Sequence, residues 1–133
     1  MSSPRASEST LRVRYAETDK MGVVYYANYL VWFEVARTEW LRQQGWTYRD
    51  MEADGFLLPV ISAQCEYVRS AVYDEAIRIR TVGVLHSPVR IGFEYEVFKE
   101  DGSVAARGST MHAAVDVNGR PCRLPARVRE VFA

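Results

Sequence analysis

Residues 19–29 read DKMGVVYYANY, and they place one carboxylate just before a turn that leads into a long apolar helix. Asp19 supplies the carboxylate and Gly22 marks the turn. The start of a helix carries unpaired backbone N–H groups and a partial positive charge, which suit a developing oxyanion. A carboxylate beside such donors combines a base or nucleophile with an oxyanion site, two parts that acyl transfer requires.

Outward from this stretch, residues 24–44 show the period of an amphipathic helix. Apolar or long side chains recur at three- and four-residue steps: Leu30, Phe33, Arg37, Trp40 and Leu41. Further apolar side chains project from its other faces: Val31, Trp32 and Val35. The pattern predicts a long helix that is covered on most sides and stops at Gly45. Glu34 is spaced to pair with Arg37 or Thr38, so we interpret Glu34 and Arg37 as structural residues.

The rest of the chain alternates with the period of two that is typical of β-strands. One such strand precedes the carboxylate, with Leu11, Val13 and Tyr15 on one face. Four more strands follow Pro59, near residues 61–67, 77–81, 91–97 and 104–117. Turns are predicted at three Gly-containing pairs: Asp54-Gly55, Asp101-Gly102 and Asn118-Gly119.

This order of elements predicts an α+β architecture, with one long helix packed on a face of an antiparallel five-stranded sheet. One helix cannot cover a five-stranded sheet, so apolar surface and free strand edges remain exposed in a single chain. These features favour a homodimer or a dimer of dimers.

Length and composition are those of an ordinary globular domain. We divide the 133 residues into a flexible N-terminal tail at 1–10 and one domain at 11–133. The 17 basic residues equal the 17 acidic ones, which gives no attraction to nucleic acid or to anionic membranes. No apolar run reaches the ~18 residues of a membrane span, and the first ten residues lack the apolar centre of a signal peptide. We therefore expect a cytoplasmic protein.

Few residues of the types used in metal, disulfide or nucleophile chemistry are present. Cys65 and Cys122 are too few for a disulfide framework, and the strand pattern predicts that Cys65 is buried. The sequence holds no G-x-S-x-G elbow, phosphate loop, dinucleotide fingerprint or paired metal-ligand spacing, so we expect neither metal nor cofactor. His112 falls within the last strand and is interpreted as a packed structural residue. His86 lies at a strand junction, where it is free to contact a ligand phosphate.

The carboxylate and its aromatic neighbours also have purely structural interpretations. An Asp before a turn often accepts backbone hydrogen bonds as an Asx turn or a helix cap and does nothing else. Tyr25, Tyr26 and Tyr29 are suited to a core or an interface, with hydroxyls that reach water. The pattern alone does not name a substrate.

The order Asp, two residues, Gly, apolar pair, aromatic pair, Asn-Tyr resembles the hotdog-fold acyl-CoA thioesterases of the 4-hydroxybenzoyl-CoA thioesterase and Tol–Pal-associated types. The resemblance continues through EVARTE at 34–39, YVRSAVYDE at 67–75 and FEYEV at 93–97, and it spans residues 11–132. It implies a sheet wrapped around the central helix. Tol–Pal-associated relatives carry His where this chain has Tyr26. Tyr26 instead resembles the hydroxybenzoyl branch. Aliphatic and aromatic substrates therefore both stay open.

The resemblance implies hydrolysis of an acyl- or aroyl-CoA thioester to the free acid and CoA. Asp19 would either attack the carbonyl or activate water, and the sequence does not separate these roles. The backbone N–H at Tyr26 would hold the oxyanion beside Gly22. In the family the acyl group lies between subunits, which implies further substrate-binding positions: Leu58, Pro59 and Val60 against the acyl group, and His86, Ser87 and Arg90 near the CoA nucleotide.

Two other functions remain compatible with the pattern. One is a non-catalytic hotdog protein that binds acyl thioesters or docks a partner. The other is a hotdog hydratase or dehydratase, although such enzymes usually carry a catalytic His near the helix start, and this chain has none there.

Overall fold

Five strands form one antiparallel sheet in the computed structural model, which describes residues 6–132. The strands are β1 (Ala6–Arg12), β3 (Val60–Tyr67), β4 (Ala76–Ser87), β5 (Arg90–Phe98) and β6 (Val104–Ala113). Their spatial order is β1-β4-β5-β6-β3, so β1 and β3 are the two edges. Two short strands, β2 (Phe56–Leu57) and β7 (Val115–Asp116), pair with each other outside this sheet. The α+β prediction is confirmed.

The long helix α1 (Asn28–Gln43) packs across one face of this sheet. Phe33 stacks on Tyr95 of β5 with ring centroids 4.2 Å apart, and Trp40 meets Phe93 edge to face at 5.5 Å. The helix ends at Gln43, and Gly45 just beyond its cap has a φ of +83°, a left-handed conformation that favours glycine. The predicted stop is therefore confirmed, while the helix starts about four residues later than its pattern indicated.

Two glycines let α1 approach the sheet closely. A Cβ added at Gly108 of β6 would lie 2.5 Å from the Phe33 ring, and one added at Gly83 of β4 would lie 2.6 Å from the Trp40 ring. Phe33 and Trp40 are seven residues apart and so lie on the same face of the helix. Each ring occupies the space that a side chain on the strand would need.

The N-terminal segment differs from the sequence prediction. Ala6–Thr10, assigned to a flexible tail, belongs to β1 and pairs with residues 78–82 of β4; residues 1–5 of that tail lie outside the described residues. The strand predicted through Tyr15 stops at Arg12, and Tyr15–Glu17 forms a 3-10 turn. Backbone pairing with β4 holds this polar segment as a strand, although its sequence has no pattern that predicts one.

The helices also differ from prediction in three respects. The face of α1 that carries Leu30, Val31 and Val35 is open, with each residue 42–47% exposed, so the helix is not covered on most sides in one chain. The pattern analysis missed α2 (Tyr48–Ala53), which starts at a Thr47 capping box, and α3 (Ala126–Phe132). No helix in the described part of the chain is long and apolar enough to cross a membrane.

The three predicted glycine turns are confirmed, with positive φ at Gly55, Gly102 and Gly119. His112 is buried as expected, whereas Cys65 is only half-buried, because β3 is an edge strand that one chain leaves uncovered. No ion pair joins Glu34 to Arg37 within residues 6–132, and the Arg37 guanidinium interacts instead with the hydroxyls of Tyr95 and Tyr48.

Candidate active site

A tight loop at residues 18–24, called the carboxylate loop, holds Asp19. Thr18 and Val24 form a β-bridge at its base, and the Asp19 N–H donates to the Val23 carbonyl at 2.9 Å. Gly22 has a φ of +81°, and its N–H donates to the Asp19 carbonyl at 3.0 Å. The loop reverses the chain at the position where the sequence predicted a turn, and it requires glycine there.

The Asp19 carboxylate uses only one of its oxygens to stabilise this loop. Oδ1 accepts from the Met21 N–H at 2.8 Å and, more weakly, from the Val23 N–H at 3.4 Å. No donor within residues 6–132 reaches Oδ2. The Asx-turn interpretation is therefore correct for Oδ1, and it leaves the second oxygen available for chemistry.

The start of α1 lies beside this loop and has no side-chain cap. Ala27 holds the cap position in a helical conformation, with φ −67° and ψ −22°. Across the described ranges, no acceptor faces the backbone N–H of Tyr26 or of Ala27. These donors can bind an oxyanion at the positive end of a sixteen-residue helix.

A buried glutamate, which the sequence analysis did not identify, joins the carboxylate loop to the helix. Glu17 is 6% exposed, and its two carboxylate oxygens accept from the Arg14 N–H and the Trp32 indole, each at 2.8 Å. Its main-chain carbonyl accepts from the Tyr25 N–H and the Asn28 side-chain amide, also at 2.8 Å. Both sides of the site are therefore held by one residue.

A cavity of about 240 Å³ opens beside Asp19. The loop contributes Val23 and Val24, the helix start contributes Tyr26 and Tyr29, and the end of β3 contributes residues 67–70. The Tyr67 hydroxyl donates to the Tyr26 carbonyl at 3.0 Å. Desolvation and the Cys65 thiol raise the pKa of Tyr67 to about 12, so this hydroxyl stays a neutral donor. The cavity thus brings a carboxylate, free amides and aromatic walls together.

The remaining predicted substrate-binding residues form a second group at the other end of the sheet. Leu58 is buried, Pro59 and Val60 are exposed where β3 begins, and Val60 pairs with the end of β6. Val60 and Tyr67 are the two ends of β3, about 23 Å apart at about 3.3 Å per residue. Within one chain, this group lies away from Asp19.

The predicted CoA-binding residues lie near this second group, at the turn between β4 and β5. His86 is exposed and covers Gly92, where an added Cβ would lie 2.6 Å from Nε2. The Ser87 hydroxyl accepts from the Val89 N–H at 3.2 Å, and Arg90 is exposed. In the described part of the chain, no cluster of His, Cys, Asp or Glu could hold a metal ion.

Comparison with known proteins gives consistent results. The family model of the Thioesterase-like superfamily matches residues 13–132. The chain is 36% identical to a Bacillus subtilis protein named "Putative acyl-CoA thioesterase YneP", over 83% of this chain and 80% of that protein. It is 30% identical to the acyl-CoA thioesterase YbgC of Haemophilus influenzae, over 92% and 90%. The crystal structure of a DHNA-CoA thioesterase from Staphylococcus aureus matches with a TM-score of 0.91 and 37% identity, over 96% and 88%.

Proposed function

Because the chain belongs to the thioesterase-like superfamily and is a thioester hydrolase, we propose that it cleaves an acyl- or aroyl-CoA with Asp19 as the catalytic carboxylate. The observation that carries this assignment is that Asp19, with its free Oδ2, and Tyr26, with its unpaired N–H, line the same cavity. A carboxylate that only stabilised its turn would need neither the cavity nor the free amides.

The chemistry follows from these two groups. In one route Oδ2 adds to the thioester carbonyl, the CoA thiolate leaves, and water then hydrolyses the mixed anhydride. In the other, Oδ2 takes a proton from a water molecule as the water oxygen adds to the same carbon, and the tetrahedral adduct then releases the CoA thiolate. Both routes place negative charge on the carbonyl oxygen, which would accept from the Tyr26 N–H. Removing one such donor costs about 100-fold or more in rate.

The second group of residues joins the site if two copies pair through β3. This edge strand has one partner strand, and its apolar residues Val60, Ile61 and Tyr67 are 45–49% exposed in a single chain. In antiparallel pairing about a two-fold axis, the start of one β3 lies beside the end of the other. Residues 58–60 of one chain would then approach Asp19 of its partner. Residues 86–90, which lie near residues 58–60, would approach the same site.

The aromatic walls of the cavity indicate which class of acyl group it would bind. Tyr26, Tyr29 and Tyr67 line the cavity, with the Tyr67 ring edge-on to Tyr26 at 6.4 Å and to Tyr29 at 5.2 Å. Such walls suit a flat aromatic acyl group, which aromatic side chains bind by stacked or edge-to-face contact. A substrate of this class is also named for the Staphylococcus aureus protein. We therefore place aroyl-CoA esters first among the candidates.

The decisive experiment is a thiol-release screen with purified protein. The panel contains short-chain, long-chain and aromatic CoA thioesters, each tested with the wild type and with Asp19→Asn. We expect sustained release from at least one ester, lost in the variant. Tight binding of esters without turnover would instead identify an acyl-thioester-binding protein, and release unaffected by the variant would reject Asp19.

A further inference from the structure

A buried histidine at the end of β6 is not used in the chemistry proposed above. His112 is 1% exposed, and both of its ring nitrogens have partners. Nδ1 lies 2.9 Å from the Leu58 carbonyl oxygen, and Nε2 lies 2.9 Å from the Thr110 hydroxyl. The Phe93 ring meets the imidazole edge to face at 5.4 Å. The ring is therefore fixed in position as well as in hydrogen bonding.

The direction of these hydrogen bonds follows from their two ends. A carbonyl oxygen only accepts, so Nδ1 carries a proton and donates to Leu58. Burial lowers the pKa of His112, the hydrogen bond to Leu58 opposes this, and the positive charge of Arg37 adds to the lowering; the net pKa is lowered, so the ring is neutral near pH 7 and Nε2 accepts from Thr110. Thr110 in turn accepts from the Tyr95 hydroxyl at 2.7 Å.

The opposite end of this series lies beside a pure donor. The guanidinium of Arg37, on α1, interacts electrostatically with the Tyr95 hydroxyl, and a guanidinium carries only hydrogen-bond donors. Protons therefore point one way along the series, from Arg37 through Tyr95, Thr110 and His112 to the Leu58 carbonyl. Reversing any link would place two donors face to face at Arg37 or two acceptors face to face at Leu58.

The series ends at the residue before Pro59. The next carbonyl along the chain, that of Pro59, accepts from the Ala113 N–H at 3.4 Å, a long bond compared with the 2.9 Å contact of His112. The shorter of these two contacts thus comes from the His112 side chain, whose hydrogen bonds continue through Thr110 to Tyr95 of β5. Leu58 is 8% exposed, whereas Val60 is 45% exposed. The series therefore ends at the buried residue that precedes the exposed substrate-binding positions Pro59 and Val60.

We propose that His112 is a positioning residue that sets acyl selectivity. Through the Leu58 carbonyl it holds Pro59 and Val60 at the distance from the partner's Asp19 that the acyl group must fit. The inference rests on the proposed function, because residues 58–60 contact substrate only in the shared site.

A matched pair of variants separates this role from simple packing. In His112→Asn the amide nitrogen can replace Nδ1 and still donate to Leu58, whereas in His112→Gln the longer side chain matches Nε2 and loses that bond. We expect His112→Gln to raise KM for the best substrate about fivefold and to reorder the acyl panel, with kcat changed less than about twofold. His112→Asn should keep the wild-type order. Equal effects of the two variants on KM and selectivity overturn the proposal.

A second pair guards against misfolding of the histidine variants. Thr110→Val removes the hydroxyl and keeps the shape, while Thr110→Ser keeps the hydroxyl. The valine variant should change selectivity in the direction of His112→Gln, and the serine variant should not. Selectivity that is unchanged in Thr110→Val overturns the proposal.

The hydrogen-bond direction has its own test. The chain has two histidines, and the His112→Asn spectrum identifies the His112 signals. Nitrogen NMR should report a neutral ring with the proton on Nδ1 at pH 7; a proton on Nε2, or a charged ring, overturns the assignment. A wild type that releases no thiol would defeat the proposed function. An active wild type, together with equal KM and selectivity in the two variants of each pair, would defeat only the role of His112.

Discussion

Replacing Asp19 with asparagine removes the charge and leaves the turn nearly unchanged. The amide oxygen of Asn can take over the bonds that Oδ1 accepts from Met21 at 2.8 Å and Val23 at 3.4 Å. The amide nitrogen then occupies the place of Oδ2, which no donor faces within residues 6–132. We therefore expect the free energy of unfolding to change by less than about 1 kcal/mol.

The effect on turnover should be far larger. A positioned base contributes typically about 100- to 10,000-fold to the rate, and an amide can neither take a proton nor form the anhydride. We expect kcat of Asp19→Asn to fall at least about 100-fold, with KM changed by less than about threefold, because the cavity walls and the free amides remain. The variant should therefore lose stabilisation of the transition state and keep its affinity for the substrate.

Two measurements on the same preparations test this reasoning. Thiol release at saturating substrate gives kcat, and thermal unfolding detects any loss of the turn, since about 1 kcal/mol corresponds to about 4 °C for a domain of this size. Asp19→Ala serves as the comparison, because it removes the turn contacts and the chemistry together. A folded Asp19→Asn protein that keeps near-wild-type kcat would refute the proposed mechanism.

Four further outcomes are expected. Light scattering at micromolar concentration should give at least twice the 15.2 kDa of one chain, because β3 leaves apolar side chains open; a monomer would contradict the shared site. Glu34→Gln should keep most of the turnover, since this exposed side chain does not line the cavity beside Asp19; a folded but inactive variant would mean that the wrong carboxylate has been assigned. Gly108→Ala should lower stability by about 1–3 kcal/mol in thermal unfolding, because its Cβ would lie 2.5 Å from both the Phe33 ring and the Gln64 carbonyl; an unchanged melting temperature would show that the helix yields. Because burial lowers the pKa of His112, the unfolded chain takes up its proton more readily; the free energy of unfolding should fall as pH drops below about 6.5, less so in His112→Asn by urea titration at each pH.

Sequence reasoning succeeded where the conformation of a segment depends on its own residues. Gly45 and the turn glycines need positive φ, which few other residues adopt, so their positions could be predicted from the sequence. The Asp19 loop was found for the same reason. Thr47 and Asp50 form a capping box that was also visible in the sequence, and α2 was missed because only six residues follow it.

Other features depend on partners that are distant along the chain. Residues 6–10 are polar and have no strand periodicity, and they form a strand because β4 offers them an unpaired edge. The burial of Glu17 depends in part on the Trp32 indole, fifteen residues later, which donates to its second carboxylate oxygen. The series that ends at the Leu58 carbonyl joins side chains of β5 and β6 beside Arg37 of α1, and no spacing in the sequence indicates that they meet.

The length of β3 between the two groups of site residues has a genetic consequence. In the proposed dimer each site takes Asp19 from one chain and Val60 from the other, so two defects carried on different chains fall into the same site. A mixed dimer of an Asp19 variant and a Val60 variant would then hold one doubly damaged site and one intact site. Two inactive alleles expressed together could thus restore activity, up to half of the wild-type level per mixed dimer.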